Sequence, residues 1–267
     1  MPTTYAATPD IDVITSTIPI PVLGSLAVNA FVIKGTEPIL VDTGIVLERD
    51  EFMTALRSVI DPAELKWIWL THTDFDHIGS LGQLLAENPD LRLITTFMGT
   101  GIMSLYDPFP MDRLYFLNPG ETLSIGDRTL TAFKPPIFDN PSTTGFYEEK
   151  SGVLFSSDCF GACLADVPQN AADISESDLR AGQVLWATVD SPWLQKADAG
   201  VIAKELGAIR DMAPKMLLSS HLPAASGDMV ERMTETLATT PTAPPFVGPN
   251  QPMLEELLQQ MAAGGGH

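Results

Sequence analysis

The spacing of apolar positions changes several times along the chain, and each change marks an element. Residues 11–39 read as short strands and turns, and the β-prone run 27–34 is ended by Gly35. Residues 38–44 form a short apolar strand that runs into a polar turn. From Arg49 to Val59, the residues Phe52, Leu56 and Val59 recur at helical spacing. Asp61-Pro62 opens a second short helical stretch near Glu64. Residues 67–70 are wholly apolar, as expected of a strand covered on both faces. A helix over about 80–87 is then stopped by Asn88-Pro89.

The centre, residues 91–133, alternates short apolar runs with Gly and Pro. A helix is expected near 100–106, ended by Asp107-Pro108. Residues 129–133, 144–147 and 152–155 read as successive strands, and 215–218 as another. Between them, 172–212 has helical patterning broken at Ser191-Pro192. The Pro-rich stretch 239–250 reads as a surface wrap, residues 254–261 as a short terminal helix, and 264–267 as a flexible end. Strands with interleaved helices in two similar halves predict one α/β domain over residues 1–267, with sheets inside and helices outside.

Composition narrows the function. The chain has 267 residues, and 15 Lys and Arg against 34 Asp and Glu give a net charge of −19. Phosphate and anionic-lipid surfaces need clustered cations, so nucleic-acid and membrane partners are not expected. No apolar run reaches the length of a membrane span, and residues 1–20 lack the basic and apolar regions of a secretory signal. Two cysteines, Cys159 and Cys163, exclude a disulfide scaffold and read as buried thiols. A soluble cytoplasmic protein is the expectation.

The candidate chemistry lies in three of the four histidines and several aspartates. His72-Thr73-Asp74-Phe75-Asp76-His77 follows the apolar strand that ends at Leu70, and His221 follows the strand 216–218. Asp139 and Asp158 also stand where strand-like runs end in polar turns. Strand ends converge on one mouth in α/β folds, and a metal needs imidazole or carboxylate donors aimed at one point from a rigid base. Within the hexapeptide, His72 and Asp74 can face one ion while Asp76 and His77 face a second. Two histidines flanking two aspartates exceed what a helix cap requires. Ser219-Ser220-His221 has no nucleophile elbow elsewhere in the chain to support a serine mechanism. Gly99-Thr100-Gly101 lacks the third Gly and the Lys of phosphate loops and reads as a turn and helix start. Trp67 and Trp69 read as core. Trp193, Phe109, Met103, Phe138 and Tyr106 are candidates for the mouth of the pocket.

With its leading Thr71, the hexapeptide resembles the metal loop of the metallo-β-lactamase superfamily, whose usual form is T-H-x-H-x-D-H. Val41-Asp42-Thr43-Gly44 looks like that superfamily's preceding strand and turn, Ser157-Asp158 like its bridging aspartate, and His221 like its final histidine. The resemblance implies an αββα four-layer sandwich with a dinuclear metal site in the cleft between its halves. Flavodiiron proteins are the most similar branch. They carry a carboxylate where Asp74 stands, and segments similar to 157–161 and 186–193. Asp139, aligned through Pro141, replaces a histidine usual in the superfamily. The chain ends about forty-five residues after His221, so that branch's flavodoxin domain is expected to be absent.

On this resemblance His72, Asp74 and Asp139 hold one ion, Asp76 and His221 the other, and Asp158 bridges them, with His77 nearby as an outer ligand. The four carboxylates just neutralise two divalent ions. A site of that charge lowers the pKa of bound water less than a cationic zinc site does. Oxygen donors also favour iron or manganese over zinc. The expectation is a di-iron protein that binds or reduces O2 or NO, or oxidises a small substrate, using an external electron donor. The alternatives are a metal-dependent hydrolase of an ester, lactone or phosphoester, and an O2 or metal sensor.

Overall fold

The computed structural model describes residues 1–106 and 110–264. The first sheet has seven strands in chain order: β1 (Thr3–Thr8), β2 (Ile11–Ile20), β3 (Gly24–Ile33), β4 (Ile39–Val41), β5 (Trp67–Trp69), β6 (Arg92–Thr95) and β7 (Leu114–Phe116). The second has six: β8 (Thr122–Ile125), β9 (Arg128–Phe133), β10 (Gly145–Glu148), β11 (Val153–Phe155), β12 (Met216–Leu218) and β13 (Ala225–Ser226). Each sheet contains the same core motif. An antiparallel pair, β3–β4 or β10–β11, leads into a parallel step, β4–β5 or β11–β12.

Side-chain alternation explains the layers. Phe31, Ile39, Val41, Trp67, Trp69 and Ile94 of the first sheet face Leu130, Phe146, Val153, Phe155 and Leu218 of the second in one buried cluster. The intervening residues Val32, Leu40, Ile68 and Leu93 face outward. They pack against α1 (Arg49–Val59) and α2 (Leu81–Glu87) through Phe52, Met53, Leu56, Leu81 and Leu84. On the other side Leu154 and Leu217 pack beneath α4 (Glu176–Asp190), α5 (Ala199–Asp211) and α6 (Asp228–Leu237). The result is the αββα sandwich expected from the sequence.

Local chemistry sets the helix ends. Asp50 and Glu51 open α1 and Arg57 closes it, matching the helix dipole. Ser175 caps α4 by accepting the Asp178 N–H, and Asp198 caps α5 by accepting from Gly200 and Val201. Ser191-Pro192 ends α4, as the helical patterning predicts.

Several elements differ from the sequence reading. Strand β1 adds an outer edge that its mixed polar pattern does not announce, and β2 and β3 form one long hairpin in place of short strands. The helix expected at 100–106 is α3 (Phe97–Met103), capped where Thr96 Oγ accepts the Gly99 N–H. Met103 is core, packed beneath the first sheet, and does not line a pocket mouth. Helix α6 was not anticipated, and the terminal helix α7 (Gln251–Gly264) starts earlier than residue 254. The Asp107-Pro108 stop, Phe109 and the end of the glycine tail lie outside the described residues. No helix among the described residues is long and apolar enough to cross a membrane.

Phe146 joins the two sheets. Its ring lies 4.3 Å from Trp69 and 4.4 Å from Phe155, between centroids. Phe146→Ala is expected to cost about 3–5 kcal/mol, because the cavity lies between two stacked layers that cannot collapse independently. Equilibrium urea unfolding checks this; a loss below about 1 kcal/mol would show that the inter-sheet contact is not limiting.

Candidate metal centre

The donors come from the carboxyl ends of the central strands. Asp42 follows β4, the 71–77 loop follows β5, Asp158 follows β11 and His221 follows β12. Asp42, directly after β4, and Ser157, two residues after β11, both have left-handed backbone, with φ of 58° and 55°. Such a residue turns the chain sharply out of its strand, at a cost of about 1–2 kcal/mol for a residue with a Cβ. Glycine is required at Gly79, where a Cβ would lie 2.4 Å from the Gly44 carbonyl oxygen. It is also required at Gly161, where a Cβ would lie 2.7 Å from the Trp186 ring and 2.8 Å from His221.

The structure brings all seven predicted residues together. One set of donor atoms comes from His72, Asp74 and Asp139, and a second from Asp76, His77 and His221. Asp158 stands between them. Its Oδ2 is 3.4 Å from His72 Nε2, and its Oδ1 is 3.3 Å from both His77 Nε2 and His221 Nε2. Asp76 Oδ2 lies 3.5 Å from His77 Nε2 and 3.6 Å from His221 Nε2. His77, placed at the margin by the sequence reading, therefore faces the same point as His221.

Hydrogen bonds on the far side of each ring orient the imidazoles. His221 Nδ1–H donates to the Ala27 carbonyl at 2.8 Å, an oxygen that can only accept, so in the neutral ring the lone pair is on Nε2. His77 Nδ1–H donates to Asp42 Oδ2 at 2.8 Å. Asp42 also accepts from the Thr71 backbone N–H and hydroxyl. Having given up its hydrogen, Thr71 Oγ can accept from His72 Nδ1–H at 3.2 Å, as can Ser157 Oγ. All three Nε2 lone pairs thus turn inward. Those of His72 and His77, with Asp158 Oδ1, are buried and have no hydrogen-bond partner. Buried polar atoms aimed at common points without partners are what a cation site requires, and the donor set fits two metal ions.

Other contacts hold the loops. Asn29 of β3 reaches across to the second half, where Nδ2 donates to the carbonyls of Ser219 and Leu222 around His221. Asn140 Nδ2 donates to Asp74 Oδ1 at 2.8 Å, leaving Oδ2 on the His72 side. Lys134 Nζ donates to the carbonyls of Asn140, Pro141 and Thr143 and lies 3.8 Å from the centre of the Phe138 ring, which steadies the loop carrying Asp139. Trp193 Nε1 donates to the Phe138 carbonyl at 2.6 Å, so Trp193 and Phe138 brace this loop. Tyr106 is exposed beside Phe75 at the rim. Cys159 and Cys163 are buried, and burial pushes their thiols up to about 12 and about 11.

Four contributors were not singled out as site residues by the sequence reading: Asp42, Asn29, Asn140 and Asp190. Asp42 belongs to the quoted turn but was given no role. Asp190, the last residue of α4, presents an oxygen within 4.8 Å of oxygens of Asp139 and Asp158. Its place before Ser-Pro at a helix end was the visible signal.

A family profile described as "ODP family beta lactamase" matches residues 26–221, and the chain belongs to that family. It is 26% identical over 196 residues to the rubredoxin-oxygen oxidoreductase of Megalodesulfovibrio gigas, covering 72% of this chain and 48% of that protein. It is 29% identical over 152 residues to the anaerobic nitric oxide reductase flavorubredoxin of Salmonella typhi, covering 57% and 32%. The solved structure of rubredoxin oxygen:oxidoreductase from Desulfovibrio gigas superposes with a TM-score of 0.76 at 19% identity, over 90% of this chain and 61% of that one. The fold is that of the metallo-β-lactamase-like core of flavodiiron proteins, and the chain spans about a third to a half of the length of these curated relatives.

Burial works against charge on His221, but Asp158 and Asp76 outweigh it and hold the ring up at about 9. His77 is raised in the same way by Asp76, Asp158 and Asp42, whereas burial and the charge on His77 depress His72. Burial, then Asp158 and Asp74, push Asp139 up to about 7. A divalent cation offered to this cluster must displace protons from His77 and His221. Its affinity is therefore expected to rise with pH up to about 9. Titration calorimetry in buffers of different ionisation enthalpy checks this; binding without proton release at pH 7 would contradict it.

Proposed function

We propose that the chain carries the dinuclear centre of a flavodiiron-type oxidoreductase, taking two iron ions and reducing O2 or NO with electrons from an external donor. The single observation behind this reading is the donor set: two groups of side chains, richer in carboxylate than in imidazole, meeting on one buried aspartate. Hard oxygen donors suit iron or manganese better than zinc. Two of the relatives named above are, by their names, an oxygen oxidoreductase and a nitric oxide reductase, which supports a diatomic substrate.

In this assignment His72, Asp74 and Asp139 hold one ion, Asp76, His77 and His221 the other, and Asp158 is shared. Iron held there would supply one-electron chemistry toward a diatomic molecule. The chain supplies the rest. Asp42, the Ala27 carbonyl and the Thr71 and Ser157 hydroxyls fix the imidazole tautomers. The histidine side is sealed, with side chains of His72, His77 and His221 at most 1% exposed. Asp74 and Asp76 are 44% and 29% exposed, so the centre opens on their side and only a small molecule need pass. A single chain 1–267 suffices to build this site.

Elemental analysis of protein purified without a chelating column, from cells supplied with iron, manganese and zinc, tests the proposal. About two iron per chain, with O2 or NO consumed under an artificial reductant, is expected. Two zinc with cleavage of an ester or lactone would overturn it in favour of hydrolysis. Asp158→Ala is expected to reduce metal content from about two to below one per chain, because both ions lose a ligand. Full retention of metal would remove Asp158 from its bridging role.

A further inference from the structure

Asp190 is in an electrostatically costly place. It closes a fifteen-residue helix, where the dipole is negative and disfavours an anion. One of its oxygens lies within 4.8 Å of oxygens of Asp139 and Asp158, so three carboxylates converge from the loop after β9, the turn after β11 and the end of α4. Among the described residues, none of the ion pairs formed by Lys or Arg includes any of the three. The side-chain hydrogen bond to the Asp190 carboxylate comes from Ser191 Oγ, at a long 3.3 Å.

A second observation points to what the cluster binds. Asp158 is 4% exposed, and its Oδ2 lies 3.4 Å from the buried, unpartnered Nε2 of His72. Asp139 Oδ1 is buried and unpartnered as well. Three carboxylates brought together by three separate elements balance either by holding protons or by taking a cation between them. His72 and Asp74 complete the same neighbourhood from the first half.

We propose that Asp190 is a further metal ligand, which joins Asp139 and Asp158 around the ion on the His72 side and biases that position toward a hard divalent cation, Mn2+ or Fe2+, over Zn2+. This rests on the dinuclear reading above. The set becomes one imidazole and four carboxylates, more donors than tetrahedral zinc takes and the oxygen-rich mixture that iron and manganese accept. The assignment gives Asp190 the positive partner that its helix end and its neighbours withhold.

Asp190→Asn separates a ligand from a buried neutral acid, because asparagine copies the shape and hydrogen bonding of a protonated aspartate but is a poor metal donor. Apo protein, wild type and variant, is titrated anaerobically at pH 7.5 with MnCl2 and with ZnCl2 by calorimetry, and melted with and without metal. The wild type is expected to bind two Mn2+. In the variant one Mn2+ is expected to weaken by about tenfold or more while Zn2+ changes less, so the ratio of affinities shifts toward zinc. Apo Asp190→Asn is expected to melt no lower than wild type, since the crowding of like charges is relieved, while its stabilisation by Mn2+ shrinks.

Unchanged Mn2+ affinity and stoichiometry would overturn the inference and leave the dinuclear reading standing. An equal loss for Mn2+ and Zn2+ would overturn the selectivity role. A wild type that binds neither ion would overturn both readings together. If the asparagine variant does not fold, Asp190→Ala carries the same expectation and the same overturning results.

Discussion

The cleft depends on burying the charge of Asp158. An ionised carboxylate removed from water costs several kcal/mol unless positive charge or strong donors surround it. Three imidazole edges supply that surrounding, two from the loop after β5 and one from the turn after β12. Burial alone would raise the Asp158 pKa, but His72, His221 and His77 hold it well below the usual carboxylate range. The left-handed turn at Ser157, the bare Cα of Gly161 and the Trp186 indole, which donates to the Asp158 carbonyl, follow from this requirement. Without the turn, the chain would carry Asp158 onward along β11, away from the imidazoles.

The same requirement explains why both halves matter. Asp42 follows β4 in the first half and Asp158 follows β11 in the second, and they differ in role. Asp42 lies behind His77, accepting from its ring and from Thr71, whereas Asp158 lies in front of three rings. One half thus supplies most donors and their orientation, and the other supplies the shared acceptor and His221. Their relative position is fixed to the extent that the sheets are. Phe146 between Trp69 and Phe155, and Asn29 on the carbonyls beside His221, link the halves close to the site. Packing between the sheets is therefore part of the metal geometry.

The layers were legible because strand and helix periodicity are strong where one face is buried: α1 occupies 49–59 as its apolar spacing indicates, and β5, β11 and β12 fall on their apolar runs. The donors were legible because His and Asp clustered at strand ends. What stayed hidden has physical reasons. Strand β1 is an exposed edge with little apolar alternation. Helix α6 places Thr234 and Thr236, poor helix formers whose hydroxyls bond back to helix carbonyls, on its buried face beside Met229, Val230, Met233 and Leu237. Asn29 and Asn140 act through backbone carbonyls and a neighbouring carboxylate, contacts that leave no spacing signature. Asp190 lies more than thirty residues after Asp158 and on another element, so only the fold brings the two together.

Charge also bears on what can approach the centre. With a net charge of −19, the chain repels anions over its surface, and the exposed Asp74 and Asp76 extend that field to the rim. A phosphoester or carboxylate substrate would approach against this field, and carboxylate-rich ions would give it weaker Lewis-acid help than a cationic zinc pair. A neutral diatomic molecule is indifferent to the field. The carboxylates that make the site poor at generating hydroxide are the ones that favour iron or manganese. The donor set and the field around it thus favour a small uncharged substrate over an anionic ester.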